Sequence, residues 1–232
     1  MRREAKEKQR QRRLEPRSEK QAELIRLLDK HSVILAIGAA GSGKTYVTAR
    51  HALQRLDAGL IEKIAITRPT IAQKRHMLGF LPGTDDMKMK PWMVPIMDAF
   101  RDGAAPAVIE KFFHLKQIEI IPFEHMRGRT IKDGVFLLDE AQNCTLADLE
   151  MFLTRAGENA QIVICGDPDQ TDLGEESGLK TIVEMIQTYD LSAGIMHFDE
   201  NDVVRSAVAA EWVKAFRQHR AGGPTVPEWI KR

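Results

Sequence analysis

The chain has 232 residues, of which 43% are hydrophobic and 29% are charged, as in an ordinary globular protein. No stretch approaches the ~20 consecutive apolar residues that a membrane helix needs, and the N-terminus is charged, so we expect a cytoplasmic protein without a membrane segment. Its two cysteines, Cys144 and Cys165, cannot form a disulfide scaffold or a four-cysteine zinc site.

The formal net charge of +1 conceals a basic N-terminal arm over residues 1–20, which holds nine Lys or Arg against four Glu. The other 212 residues carry 25 basic and 29 acidic side chains. Clustered Lys and Arg bind anionic polymers because neutralised phosphates release their counterions. The arm therefore fits either a contact to nucleic acid or a solvated tail that is helical in part.

Short apolar runs alternate with helical patterns along the rest of the chain. The runs are continuously apolar, which is typical of strands buried on both faces of a parallel sheet. Strands are predicted at 33–37, 63–67, 118–121, 134–138, 161–165 and 193–198, and helices at about 19–30, 44–58, 91–102, 106–114, 146–156, 178–189 and 201–219. This alternation predicts a doubly wound, mostly parallel α/β sheet flanked by helices, in one domain over 21–219 with a tail over 220–232.

The stretch GAAGSGKT after the first predicted strand fits the phosphate-loop pattern G-x-x-x-x-G-K-[ST]. Glycines let the backbone turn tightly, so that its N–H groups surround the β-phosphate of a nucleotide. Lys44 is predicted to bridge the β- and γ-phosphates, and the Thr45 hydroxyl to bind Mg²⁺. The start of the following helix adds a positive dipole end. The predicted nucleotide contacts are Gly38, Ala39, Ala40, Gly41, Ser42, Gly43, Lys44, Thr45 and Tyr46.

Two further motifs follow later strands of the predicted sheet. Asp139 and Glu140, in LLDEAQN, come directly after strand 134–138, at the carboxyl end where ligands bind to open α/β sheets. Asp139 is predicted to hold Mg²⁺ and Glu140 to polarise an attacking water, which favours hydrolysis. Gln170, in ICGDPDQTDL, lies just beyond the next strand, where it would reach the γ-phosphate. The alternative for that stretch is a simple turn.

The motifs GAAGSGKT, ITRPT, HMRGRT, LLDEAQN, ICGDPDQTDL and DVVR, in this order, resemble the PhoH family of phosphate-starvation-inducible ATPases, which is related to superfamily-one helicases. The resemblance covers about residues 21–216. It implies a single RecA-like P-loop NTPase domain that hydrolyses ATP with Mg²⁺, with Lys44, Glu140 and Gln170 as catalytic residues and Gln170 as γ-phosphate sensor. Gln21 resembles a glutamine that reads adenine, although a polar position on an amphipathic helix explains it equally well.

Phosphoryl transfer needs positive charge at the γ-phosphate beyond Lys44 and the metal, and an arginine supplied in trans is worth ~10³–10⁵ in rate. Related helicases obtain this arginine from a second RecA-like domain, for which 232 residues leave no room. We therefore expect a head-to-tail ring, and the resemblance favours a homo-hexamer. Arg205, in DVVR, is the first candidate, followed by Arg127 and Arg129. The alternative for Arg205 is a surface ion pair with Asp202.

Single-stranded RNA, or DNA, is the expected polymer. Arg68 in ITRPT follows a core strand, and ATPases of the related class use that loop on single strands. Together with Lys74, Arg75, Arg127, Arg129 and the basic arm, it would form a surface that follows a phosphate backbone. Three Trp and two Tyr are few for base stacking, so we do not expect sequence-specific recognition.

Two other functions fit parts of the sequence. Nucleoside kinases related to thymidine kinase also combine a phosphate loop with a DEAQ-like stretch, but they usually carry a zinc-binding set that two cysteines cannot supply. The second alternative is a nucleotide-gated scaffold that uses ATP only to assemble. Consumption of ATP without a small-molecule acceptor would distinguish an ATPase from a kinase.

Overall fold

The computed structural model describes residues 12–69, 93–173, 177–202, 207–220 and residue 222. Lys74, Arg75 and Arg205 lie outside the described residues, as do most of the basic arm and most of the tail. The roles predicted for these residues stay predictions, and so does the division into an arm, a domain and a tail.

Within the described ranges, six strands alternate with seven α-helices. The strands are β1 (Val33–Gly38), β2 (Lys63–Thr67), β3 (Ile118–Ile120), β4 (Gly134–Leu138), β5 (Gln161–Gly166) and β6 (Gly194–Phe198). The helices are α1 (Glu19–Lys30), α2 (Lys44–Asp57), α3 (Val94–Gly103), α4 (Pro106–His114), α5 (Leu146–Leu153), α6 (Leu179–Thr188) and α7 (Ala207–Arg220). Short 3₁₀ turns occupy Phe123–Met126, Ala141–Asn143 and Glu200–Asp202.

The six strands form one parallel sheet in the order β3-β2-β4-β5-β1-β6. Because all the strands run in the same direction, their carboxyl ends share one edge of the sheet. The loops after β2, β4, β5 and β1 are therefore neighbours along that edge. This strand order brings together ITRPT, LLDEAQN, ICGDPDQTDL and GAAGSGKT, which are far apart in the sequence.

Both faces of the sheet are covered, which explains why the strands are continuously apolar. In β1, Ile34 packs into the core under α1, α2 and α3, whereas its neighbour Leu35 packs into the core under α5 and α6. On the second face the ring of Phe152 meets the ring of Phe136 edge to face, with centroids 5.6 Å apart. The predicted doubly wound α/β sheet is confirmed.

Two predicted helices have different limits in the structure. Helix α5 ends at Leu153 rather than near 156, because the chain turns there to place Ala156 beside Ile131 in an isolated parallel bridge. The helix predicted over 201–219 is a 3₁₀ turn at Glu200–Asp202 followed by α7. The Asp202 carboxylate accepts hydrogen bonds from the Asp199 N–H and from Lys20 Nζ, both at 2.7 Å, which fixes the chain as a turn.

No helix in the described part of the chain is both long enough and apolar enough to cross a membrane.

Candidate nucleotide-binding site

The loop between β1 and α2 is held in a conformation that requires glycine. Gly38, Gly41 and Gly43 have φ angles of 116°, 85° and 88°, in the left-handed region that L side chains rarely adopt. A Cβ on Gly38 would lie only 1.9 Å from the carbonyl oxygen of Phe198 in β6. That carbonyl accepts a hydrogen bond from the Ala39 N–H at 3.1 Å, so the loop is fastened to the neighbouring strand.

Lys44 opens helix α2, and its ammonium group is folded into the loop. Its Nζ donates to the carbonyl oxygens of Gly38 at 2.6 Å and of Ala39 at 2.8 Å. Only 8% of Lys44 is exposed, and burial lowers the pKa of Lys44. A buried cation that donates to neutral carbonyls would gain from a charged acceptor, because charge-assisted hydrogen bonds are about twice as strong as neutral ones.

Gln21, predicted as an adenine contact, supports the same loop from behind. Its Nε2 donates to the Ser42 carbonyl at 3.0 Å, and its Oε1 accepts from the Arg17 N–H at 2.9 Å. Gln21 is 3% exposed, and a Cβ on Gly43 would lie 2.6 Å from its Nε2. The side chain therefore fixes the back of the phosphate loop, and the adenine contact stays a prediction.

Thr45 and Asp139 come together from α2 and the end of β4. The Thr45 hydroxyl donates to Asp139 Oδ1 at 2.6 Å, and the Asp139 N–H donates to the Thr67 carbonyl at 3.0 Å. Burial raises the pKa of Asp139, and the hydrogen bond from Thr45 opposes that shift. Two oxygens so close together are a suitable pair of protein ligands for Mg²⁺, which prefers oxygen and keeps most of its waters.

Glu140 is held by two partners in an unusual backbone conformation. Its φ and ψ are 56° and 40°, which costs a non-glycine residue on the order of 1–3 kcal/mol and is common at functional sites. Arg68 Nη2 lies 3.2 Å from Glu140 Oε1, and Arg68 Nη1 lies 3.7 Å from Asp139 Oδ2. Gln142 Nε2 donates to Glu140 Oε2. The carboxylate is therefore oriented from both sides.

Gln142 is a member of the site that the sequence analysis missed. Besides holding Glu140, its Oε1 accepts from the Asp167 N–H at 3.0 Å, and its backbone carbonyl accepts from the Thr171 hydroxyl at 2.8 Å. It thus joins the loop after β4 to the loop after β5. The sequence signal is its position in DEAQ, but its role depends on these two strands being neighbours.

The loop after β5 is a turn, which was the alternative predicted for ICGDPDQTDL. The Gln170 N–H donates to the Asp167 carbonyl at 2.9 Å, and the Asp169 N–H donates to Asp167 Oδ1 at 3.1 Å. Gln170 nevertheless lines the same cavity as Lys44 and Glu140. The turn therefore carries Gln170 to the site, and its role as γ-phosphate sensor stays a prediction.

These loops surround a cavity of about 260 Å³. Nine residues predicted for nucleotide, metal or catalytic roles line it, namely Ala40, Gly41, Gly43, Lys44, Thr45, Tyr46, Asp139, Glu140 and Gln170. A larger groove of about 1150 Å³ lies at the β3 edge, between α3, α4 and the Phe123–Met126 turn. It lacks the phosphate loop and the Asp139–Glu140 pair, so the smaller cavity is the candidate nucleotide-binding site.

The described arginines that were predicted to touch nucleic acid lie in two places. Arg68 lines the small cavity, and 22% of its side chain is exposed. Arg127 and Arg129 are exposed near β3, where Arg129 Nη1 lies 3.2 Å from Glu119 Oε2. The structure therefore does not bring these two arginines to the small cavity of the same chain.

Comparison with known proteins supports the fold and the motifs. A family model described as PhoH-like protein matches residues 13–217. The PhoH-like protein of Mycobacterium tuberculosis (strain ATCC 25618 / H37Rv) is 36% identical over 212 residues, which are 90% of this chain and 60% of that protein. Protein PhoH of Escherichia coli (strain K12) is 38% identical over 204 residues, or 86% of this chain and 57% of that protein. The chain thus spans about three fifths of the length of these relatives.

A solved structure with a similar fold is the large terminase of a thermophilic bacteriophage, with a TM-score of 0.53 and 11% identity over 88% of this chain and 50% of the terminase. The same terminase in complex with ADP gives a TM-score of 0.50 and 13% identity, over 85% and 49% of the two chains. At such low identity the likeness concerns the fold alone, and it agrees with the predicted α/β fold. The family match and the two relatives together show that this chain belongs to the PhoH family.

Proposed function

We propose that the chain binds ATP with Mg²⁺ in the small cavity and hydrolyses it. The observation that carries this proposal is the meeting of Lys44, Thr45, Asp139 and Glu140 around one cavity, with the Thr45 hydroxyl 2.6 Å from Asp139 Oδ1. These are the group types that phosphoryl transfer requires. The ADP complex of the terminase, which has a similar fold, supports a nucleotide as ligand.

Thr45 and Asp139 would hold Mg²⁺. Among the described residues, no group of three or more His, Cys, Asp or Glu side chains is arranged for a metal ion. That suits Mg²⁺, which is usually bound through one or two carboxylates and the phosphates of the substrate rather than by a protein cage. When bound, the ion would neutralise charge on the β- and γ-phosphates.

The remaining side chains have separate tasks in this proposal. Lys44 exchanges its carbonyl acceptors, Gly38 and Ala39, for phosphate oxygens. Glu140 orients a water molecule for attack on the γ-phosphate and accepts its proton. Gln142 Nε2 donates to one oxygen of that carboxylate and Arg68 Nη2 lies 3.2 Å from the other, and each oxygen keeps a further acceptor site for water.

We further propose that the working form is a homo-hexameric ring and that single-stranded RNA, or DNA, stimulates hydrolysis. Support for the polymer comes from the basic N-terminal arm and from the exposed side chains of Arg127 and Arg129. Support for the ring comes from the need for positive charge at the γ-phosphate, which Arg205 of a neighbouring subunit would supply.

The test is steady-state ATP hydrolysis by the purified chain, with and without single-stranded RNA. Lys44→Ala is the inactive blank, and Lys30→Ala is the matched control because Lys30 is an exposed lysine at the end of α1. We expect a rate that RNA increases, that Lys30→Ala retains and that Lys44→Ala abolishes. A rate no higher than that of the blank would contradict the ATPase. A rate above the blank that RNA and DNA leave unchanged would contradict the coupling and favour a nucleotide-gated scaffold.

A further inference from the structure

We propose that Arg68 contacts the γ-phosphate of the bound nucleotide from within the same chain, and thereby distinguishes ATP from ADP. The inference rests on the proposed ATP site. It goes beyond that proposal because the sequence predicted a contact of Arg68 with nucleic acid and not with the nucleotide. It adds a cation from the same chain at the γ-phosphate, beside the arginine that is proposed to come from a neighbouring subunit.

Strand pairing places Arg68 at the catalytic carboxylates. Thr67, the last residue of β2, is paired in register with Leu138, the last residue of β4. The next residues on the two strands are Arg68 and Asp139, and the Asp139 N–H donates to the Thr67 carbonyl at 3.0 Å. The position of Arg68 is therefore set by the sheet itself rather than by a long loop.

The guanidinium group spans both acidic residues of the site. Arg68 Nη2 lies 3.2 Å from Glu140 Oε1, and Nη1 lies 3.7 Å from Asp139 Oδ2. The other oxygen of Asp139, Oδ1, accepts the hydrogen bond from Thr45. One carboxylate thus lies between Arg68 and the hydroxyl of Thr45 in the first turn of α2, and Arg68 lines the same cavity as Lys44.

The side chains that line the cavity include more carboxylates than cations, and Arg68 is one of those cations. Of the described residues that line it, Asp139, Glu140 and Asp167 carry carboxylates, and Lys44 and Arg68 are the cations. A triphosphate adds further negative charge, and without Arg68 the balancing cation among these residues would be Lys44. Because a guanidinium presents five N–H donors in a planar fork, it can keep Glu140 on one edge and bind a phosphate oxygen with another.

This arrangement predicts which nucleotide depends on Arg68. Arg68 Nη2 lies 3.2 Å from an oxygen of Glu140, the group proposed to orient water at the γ-phosphate. ADP lacks the γ-phosphate, so its affinity would change little when Arg68 is removed. ATP would lose a charge-assisted hydrogen bond, which is stronger beside buried groups such as Asp139 than in open water.

The experiment measures the dissociation constants of ADP and of a non-hydrolysable ATP analogue by displacement of a fluorescent nucleotide. The variants are Arg68→Ala, Arg68→Lys and, as matched control, Arg101→Ala, whose side chain is 60% exposed and paired with Asp98 at 3.0 Å. We expect Arg68→Ala to raise the dissociation constant of the ATP analogue about 10–100-fold and to change that of ADP by less than about threefold. Arg68→Lys should fall between wild type and Arg68→Ala, and Arg101→Ala should match wild type.

The same measurement in a Glu140→Gln background separates a direct contact from an indirect one. If Arg68 contacts the phosphate, Arg68→Ala weakens the analogue in this background too. If the effect disappears there, Arg68 acts only by orienting Glu140, and the inference is overturned. Equal losses for both nucleotides at an unchanged melting temperature, or no loss for either, would also overturn it. Because ADP binding is measured in every variant, a misfolded variant is recognised by the loss of both ligands together with a lower melting temperature.

Failure of the inference differs from failure of the proposed function. If wild type binds neither nucleotide, or binds them as weakly as Lys44→Ala does, the ATP site itself is wrong. If wild type binds and hydrolyses ATP while Arg68→Ala does so equally well, only the role of Arg68 is wrong.

Discussion

The contacts of Gln142 lead to a prediction about both stability and hydrolysis. Gln142→Leu keeps the volume of the side chain but removes its hydrogen bonds. The Asp167 N–H, now 3.0 Å from Gln142 Oε1, would be buried without that acceptor, and Glu140 would lose the donor at its Oε2. Leaving a buried polar group without its partner costs about 1–3 kcal/mol. For a chain of this size, each 1 kcal/mol lowers the melting temperature by roughly 2–4 °C.

Hydrolysis should fall further than stability alone explains. A catalytic group displaced by about 1 Å can lose on the order of 10²-fold in rate, because its geometry relative to the substrate is lost. Nucleotide affinity should change little, since the side chains of Lys44 and Thr45 are held by Gly38, Ala39 and Asp139. The assays are thermal unfolding, ATP turnover at saturating ATP and nucleotide titration, all carried out well below the melting temperature of the variant.

Gln161 offers a matched control at the opposite end of the sheet. It begins β5, where its Nε2 donates to the carbonyls of Leu28 and His31, both at 2.7 Å, and its Oε1 accepts from Arg55 at 2.7 Å. Gln161→Leu should therefore destabilise the fold by a similar amount while ATP turnover stays near that of wild type. Equal turnover in the two variants, or normal turnover in Gln142→Leu, would refute the reasoning.

Three further predictions concern stability. Burial raises the pKa of Asp139, so its ionisation above the ordinary pKa of 3.8 costs the folded state free energy. The Asp139→Asn variant should therefore have a higher melting temperature than wild type at pH 7, and this difference should vanish towards pH 4. A lower melting temperature at pH 7 would contradict this. Burial lowers the pKa of His51, so as the pH drops below 6.5 the unfolded chain takes up a proton at this residue before the folded chain does, and stability falls. In urea unfolding between pH 7 and pH 5, the free energy of unfolding should depend less steeply on pH for His51→Gln than for wild type. Gly38→Ala should cost about 3 kcal/mol or more in urea unfolding, because its Cβ would lie 1.9 Å from the Phe198 carbonyl oxygen, whereas Gly59→Ala, with φ 68° and open space around it, should cost only about 1 kcal/mol.

Local patterns in the sequence were sufficient for the elements and for the type of site. Strands that are buried on both faces must be continuously apolar, so runs such as VILAI and GVFLL identify a parallel sheet without any structure. The phosphate loop is a short continuous segment whose chemistry depends on its own glycines, on Lys44 and on Thr45. Asp139 and Glu140 follow directly from their position after a strand. Within the phosphate loop, neighbours in sequence are the relevant neighbours in space.

Contacts between separate loops were beyond the reach of sequence patterns. Arg68 meets Glu140 because β2 pairs with β4, and Gln142 meets Asp167 because β4 pairs with β5. Gln21 supports the phosphate loop only because α1 packs beside β1 and α2. The order in which strands pair is decided by how the whole set of apolar faces is buried, and no short segment of the sequence specifies it. The sequence by itself therefore predicted a phosphate-binding loop and two carboxylates after a strand, and only the tertiary structure decided which other side chains lie around them.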